Sequence, residues 1–168
     1  MPDLVKKIQS AIHARFDSKY YIDNAFVFYW ECDSFIVTKS NYGVEFEIKL
    51  SRSDFRADFK KITKHQTMKS GEGWVPGWHT WDLTKMNRPN KFYYVCPVGM
   101  IAPEEIPTYA GLVYFTDTYP PNAYGCANDL KIIKKAPLIH QTKTDYEKIL
   151  CSKYYHLWLN EKANRSQR

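Results

Sequence analysis

The sequence predicts an α/β fold, a mixed central β-sheet flanked by helices, in an order close to α-β-β-β-α-β-β-β-α. Three observations predict it. Apolar residues recur at helical spacing near both ends of the chain, with Leu4, Val5, Ile8, Ala11 and Ile12 at one and Tyr146, Ile149, Leu150, Tyr154, Leu157 and Trp158 at the other. Runs of β-branched and aromatic residues lie between them, and a helix-start signature interrupts those runs. The chain has 168 residues, 44% of them apolar and 16% aromatic, which suits one hydrophobic core. A single domain is therefore expected over residues 1–168, with a frayed tail at about 164–168.

In chain order, residues 3–16 read as an amphipathic helix that covers the sheet. Ala25–Thr38 is rich in aromatic and β-branched residues and reads as a strand. Lys39–Gly43 is a short connection whose Asn41 and Gly43 tolerate positive φ, which suits a hairpin. Val44–Leu50 then alternates strictly. Ser51-Arg52-Ser53-Asp54 has the form of a capping box, so a helix is expected from Arg52 to His65, with Phe55, Phe59 and Ile62 packed on the sheet. Thr67–Asn87, with its Gly and Pro residues and Trp74, Trp78 and Trp81, reads as a long loop whose tryptophans fold onto the body or stack on unpaired bases. His79 in that loop stays unassigned. Lys91–Cys96 and Gly111–Phe115 read as central strands, joined through a helical turn that Pro103 starts. There Glu104 and Glu105 favour the helix dipole. Asp117–Asp129 reads as a loop, Leu130–Lys134 as a strand next to a basic patch of Lys131, Lys134 and Lys135, and Thr144 to about Ala163 as a final amphipathic helix.

The alternation in Val44–Leu50 carries the chemistry. Period two places Val44, Phe46, Ile48 and Leu50 on one face and Glu45, Glu47 and Lys49 on the other. Pairing Thr38 with Val44 would set Asp33 opposite Lys49 and diagonal to Glu47, on the face shared with Phe35 and Val37. A carboxylate in that company needs a cation or hydrogen-bond donors, which Lys49 and a divalent metal held by Asp33 and Glu47 would both supply. A solvated Glu/Lys face is the plain alternative. The helix that follows is basic, with Arg52, Arg56, Lys60, Lys61, Lys64 and His65 against Asp54 and Asp58. Its cations would lie where a phosphate backbone could run.

Asp33, Glu47-Ile48-Lys49, Ser51-Arg52-Ser53-Asp54-Phe55 and the Lys-rich helix together resemble the core of the PD-(D/E)xK nuclease superfamily, a restriction-endonuclease-like fold. The runs Arg88–Pro97 and Tyr109–Tyr114 are similar to its small single-domain branch of MmcB-like DNA-repair proteins and phage-encoded relatives. The resemblance covers roughly residues 24–140. It implies a metal-dependent deoxyribonuclease of DNA repair, recombination or phage DNA metabolism, with Asp33 and Glu47 as acids and Lys49 as the amine of the motif. It further implies Mg²⁺ or Mn²⁺ held by Asp33, Glu47 and the Ile48 carbonyl, and DNA contacts from Arg52, Arg56, Lys60 and Lys64. Cys32 stands where relatives carry Pro. The first helix offers Asp3 and Gln9 where some relatives place a Glu, so a one-metal site, or an acid from Glu31 or Glu45, is compatible with the pattern. The rival readings are a catalytically inactive nucleic-acid-binding module of the same fold and a protein-interaction domain with aromatic loops as its contact.

Composition agrees with a polyanionic partner, the formal net charge being +6. No continuous apolar span reaches membrane length and no signal peptide leads the chain, so no membrane partner is expected. Cys32, Cys96, Cys126 and Cys151 are widely spaced without a C-x-x-C, which reads as reduced thiols in the cytoplasm, here of a bacterial host cell. A homodimer is compatible with nuclease chemistry, since many nucleases cut both strands as dimers.

Overall fold

A computed structural model describes residues 2–70, 88–116 and 130–165. Its elements are α1 (Pro2–Arg15), β1 (Ser18–Ala25), β2 (Cys32–Thr38), β3 (Gly43–Ile48), α2 (Arg52–Asp58), α3 (Ile62–Ser70), β4 (Lys91–Pro97), a 3₁₀ turn at Pro103–Glu105, β5 (Ala110–Phe115), β6 (Leu130–Lys134) and α4 (Tyr146–Arg165). The strands form one six-stranded sheet in sequence order. β1, β2 and β3 pair antiparallel, β3, β4 and β5 parallel, and β6 returns antiparallel to β5. The sheet is mixed and helices cover both faces, as expected of an α/β chain.

The two faces follow from strand alternation. Val44, Phe46 and Ile48 of β3, Tyr93 and Val95 of β4 and Val113 of β5 pack with Ile8 and Ile12 of α1. Phe35 and Val37 of β2, Phe92 and Tyr94 of β4 and Leu112 of β5 meet Phe55 of α2, Met68 of α3 and Tyr146 and Leu150 of α4 on the other side. β4 and β5 are thus apolar on both faces, as burial under two helical layers favours, whereas β3 is apolar only on the face toward α1.

Several expectations are corrected. The run Ala25–Thr38 is not one strand: β1 ends at Ala25, just after Asn24 turns the chain with φ 49°, and β2 begins at Cys32. The hairpin register is Val37 opposite Gly43 and Phe35 opposite Glu45, which continued one pair sets Asp33 against Glu47. That is a two-residue shift from the Thr38–Val44 pairing, and it preserves the face. Asn41 supplies the left-handed residue, with φ 61°, whereas Gly43 serves close approach: a Cβ there would lie 2.6 Å from Tyr146 Cζ and 2.7 Å from Phe35 Cζ.

The basic helix is two helices. Ser51 caps α2 by accepting the Asp54 N–H at 3.1 Å, as the capping signature predicts. After Asp58, however, Lys60 N bonds to Ala57 O and Lys61 N to Asp58 O, so the last turn tightens and α3 starts afresh. Thr67–Ser70 therefore belongs to α3. The break also changes which side faces inward. Phe55 is buried, but Phe59 and Ile62 are exposed, and Lys64, His65 and Met68 are buried in their place.

The final helix departs too. Tyr146 and Leu150 are buried, but Tyr154, Leu157 and Trp158 are exposed, so α4 covers the sheet only with its first turns. Trp74, Trp78, Trp81, His79, Cys126 and the Asp117–Asp129 segment lie outside the described residues. Among the described residues no helix is long and apolar enough to cross a membrane.

Candidate active site

β3 leaves the sheet with its polar face toward α2 and α3. Glu45, Glu47 and Lys49 are each at most 3% exposed, so this face is as buried as its apolar reverse and the solvated alternative is overturned. Burial at this level requires partners. Glu45 receives the Trp30 indole N–H at both oxygens, 2.9 and 3.0 Å, and Lys64 Nζ lies 3.1 Å from its Oε1. Glu47 accepts Lys49 and Lys61 at Oε1, 2.8 and 2.9 Å, and Lys64 at Oε2, 2.6 Å. Asp33, on β2 beside them, accepts the Ile48 N–H at 2.7 Å through Oδ2. Gln9 of α1 donates to the Asp33 carbonyl at 2.8 Å and so fixes the backbone beneath that carboxylate.

Asp58 completes the cluster and was not singled out by the sequence. It closes α2 on the same helix face as Phe55, three residues earlier, and that spacing is the signal that could have found it. Its Oδ1 lies 3.2 Å from Lys49 Nζ and 3.0 Å from Lys61 Nζ, and its Oδ2 accepts the Tyr94 hydroxyl at 2.9 Å. His65 spans from the Asp58 carbonyl, 2.9 Å at Nε2, to the Tyr109 hydroxyl, 2.5 Å at Nδ1.

These surroundings split the acids. Burial, then the Glu47 charge, push Asp33 up to about 6, against the opposing Ile48 N–H and Lys49. Burial, then Glu47, likewise push Glu45 up to about 7, opposed by Lys64 and the Trp30 N–H. Asp58 is also desolvated, but the His65 hydrogen bond and the Lys64 and Lys49 charges outweigh that and hold it well below the usual carboxylate range. Lys49 is raised: burial lowers it, and the Glu47 and Asp58 charges more than reverse the effect.

Asp33, Glu47, Ile48 and Lys49 are therefore brought together. The candidate DNA contacts divide. Arg56 and Lys60 are exposed on α2 and the turn after it. Arg52 is half-exposed but engaged, donating to Glu105 at 2.5 Å and to the Met100 carbonyl at 2.8 Å. Lys64 is a correction: the helix break turns it inward, where it neutralises Glu45 and Glu47 and lies 4.8 Å from the Phe92 ring centroid, so it presents no surface to a phosphate backbone. In the second basic patch, Lys134 donates to the Ile106 carbonyl at 2.9 Å.

The fold has a solved counterpart. It is similar to the SPO1766 protein of unknown function from Silicibacter pomeroyi, with a TM-score of 0.58 and 16% identity over 96% of this chain and 88% of that one. At that identity the likeness concerns the fold alone. No family model matches the chain, and no curated protein does.

Carboxylate oxygens are the ligands a hard divalent cation takes. Two carboxylates stand on neighbouring strands; burial is the main cause that raises Asp33, and the Glu47 repulsion added to it is of the kind a divalent charge relieves. Among the described residues no group of three His, Cys, Asp or Glu side chains is arranged to hold a metal, so an ion here would rest on Asp33 and Glu47, completed by a backbone carbonyl such as that of Ile48 and by water.

Proposed function

We propose that this protein is a metal-dependent nuclease that hydrolyses DNA phosphodiester bonds on a restriction-endonuclease-like core. The observation that carries the reading is the meeting of Asp33 and Glu47 across the β2–β3 hairpin, with Lys49 beside them on the strand that leads into a capped helix. The element order and the mixed sheet are compatible with that core.

Mg²⁺ or Mn²⁺, when bound, supplies an acidified water and positive charge against the developing phosphorane-like charge. The chain's own contribution is positional. Asp33 and Glu47 would hold the ion, and the Ile48 N–H keeps the Asp33 carboxylate aimed. Because the flanking carboxylates raise Lys49, it stays an ammonium at neutral pH; its role is to orient the attacking water or stabilise a non-bridging oxygen, and a different group takes the proton. Arg56 and Lys60 supply exposed cations for the phosphate backbone.

One observation favours a second reading. Both Glu47 oxygens already carry ammonium groups, so the cluster is charge-balanced by lysines alone, as a catalytically inactive nucleic-acid-binding module would require. Cleavage of single-stranded, duplex and branched DNA with Mg²⁺ or Mn²⁺ separates the two. The nuclease reading expects metal-dependent cutting that disappears in folded Glu47→Gln and Lys49→Ala variants. Salt-sensitive DNA binding without cutting on any substrate would favour the binding module.

A further inference from the structure

We propose that α4 binds a second copy of this chain, the two helices lying antiparallel about a twofold axis. The helix covers the sheet with Tyr146 and Leu150 and then runs on. Beyond them Tyr154, Tyr155, Leu157, Trp158 and Leu159 are all between 37% and 57% exposed. Single apolar residues on a surface are ordinary, but five large ones within two turns of one helix form a patch of the kind that marks an interaction site. Tyr155 and Trp158 stack with ring centroids 6.1 Å apart, so part of the patch is already an ordered wall.

The order of residues along the helix selects the occupant. Glu147, Cys151, Tyr154, Trp158, Glu161 and Arg165 follow one another at alternating steps of four and three, the spacing of a seam between two helices, and each of them is exposed. Turned end for end about its middle, the seam sets Tyr154 on Trp158, Cys151 on Glu161 and Glu147 on Arg165. Aromatic then meets aromatic and acid meets base, each twice by symmetry. A parallel pair would instead oppose Glu147 to Glu147 and Arg165 to Arg165 and would align the two helix dipoles. Glu147 now pairs with Lys19, and Arg165 with Glu161, both at the surface, so either group can be shared with a partner at little cost. Tyr21, 48% exposed on the edge strand β1, borders Tyr154 and widens the surface. With aromatic side chains carrying about 150–250 Å² each, roughly half of it exposed here, the seam offers on the order of 600 Å² per copy. That is somewhat below the ~800 Å² per partner of a standard interface, so the dimer is reversible, with a Kd on the order of 10 µM.

The test is sedimentation velocity of the full chain from about 1 to 200 µM, with melting temperatures recorded for each variant. The wild type should pass from monomer to dimer across that range, and folded Trp158→Glu should stay monomeric. Arg165→Glu should weaken the dimer about tenfold, and adding Glu147→Arg should recover it, because the exchanged charges meet again. Under mild oxidation Glu161→Cys should cross-link to Cys151 of the other copy, read by mass spectrometry of the linked peptides. A wild type that is monomeric throughout, a dimer untouched by Trp158→Glu, or a linkage of Cys151 to Cys151 overturns the proposal. So does a monomer that sediments with vesicles of anionic phospholipid, which would assign the same aromatic and basic face to a membrane.

Discussion

The two faces of β3 are equally buried and differently made. One packs Val44, Phe46 and Ile48 against Ile8 and Ile12 of α1; the other sets Glu45 and Glu47 among three lysines, a tryptophan and an aspartate. The apolar face gains from removing carbon from water, on the order of 25 cal/mol per Å². The ionic face must recover the desolvation of several charges, and well-packed apolar residues would do as well or better. Burial of carbon therefore does not account for this face, and the nuclease proposed above would use its adjoining carboxylates.

The largest effects should separate the faces by their response to pH. Phe46→Ala should cost about 3–5 kcal/mol, nearly independent of pH, because it leaves a cavity. Lys64→Ala should cost about as much at pH 8, since it orphans buried carboxylates, and clearly less at pH 5, where Glu45 can carry a proton. Urea unfolding at both pH values checks this, and equal pH dependence for the two variants would break the comparison.

Next in size is the pH profile of the wild type. Asp33 and Glu45 are raised in the folded chain to about 6 and about 7, so their protonated forms favour folding. The contribution is fully present below the unfolded values near 4 and is lost as pH rises through 6 to 7. Asp58 has the opposite sign: it is depressed, so its contribution is present above its unfolded value and is lost only in strong acid. The expected curve falls between pH 4 and 7, with Asp33→Asn removing about 2 kcal/mol of that fall after allowance for partial exposure.

A smaller effect sharpens the pairing itself. Glu45→Gln keeps an acceptor for Trp30, and combined with Lys64→Met it should be less destabilising than the sum of the single changes, by about 1–2 kcal/mol. Additivity would mean that Glu45 and Lys64 do not act as a pair. Smallest is Arg52→Ala. Its partner Glu105 is on the surface, so the loss in thermal denaturation should be the smallest of these.

Where the sequence was legible follows from how local each signal is. Alternation in Val44–Lys49 fixed which residues share a face, because period two depends on nothing beyond the strand. Ser51 marked the helix start for the same reason. That the polar face is buried was not legible, since Glu-x-Glu-x-Lys reads as solvated until the helices above it are known. The break after Asp58 was also hidden. No Pro or Gly marks it; the Asp58 carbonyl is taken by Lys61 N–H and His65 Nε2, a tertiary arrangement that then turns Lys64 inward. The hairpin register slipped by two because a five-residue connection leaves the first pair open, and only the face survived the error.

Stability and cleavage measured together in one variant, Asp33→Asn, separate a catalytic role for the ionic face from a structural one. Asparagine can still accept the Ile48 N–H, so the local bond is kept while the charge beside Glu47 is removed. As a nuclease, the variant should be at least as stable as the wild type at pH 8, and its Mg²⁺-dependent DNA cleavage should fall by about a hundredfold or more. A variant that is less stable and cuts as the wild type does would contradict it, and would make the ionic face of β3 a structural device.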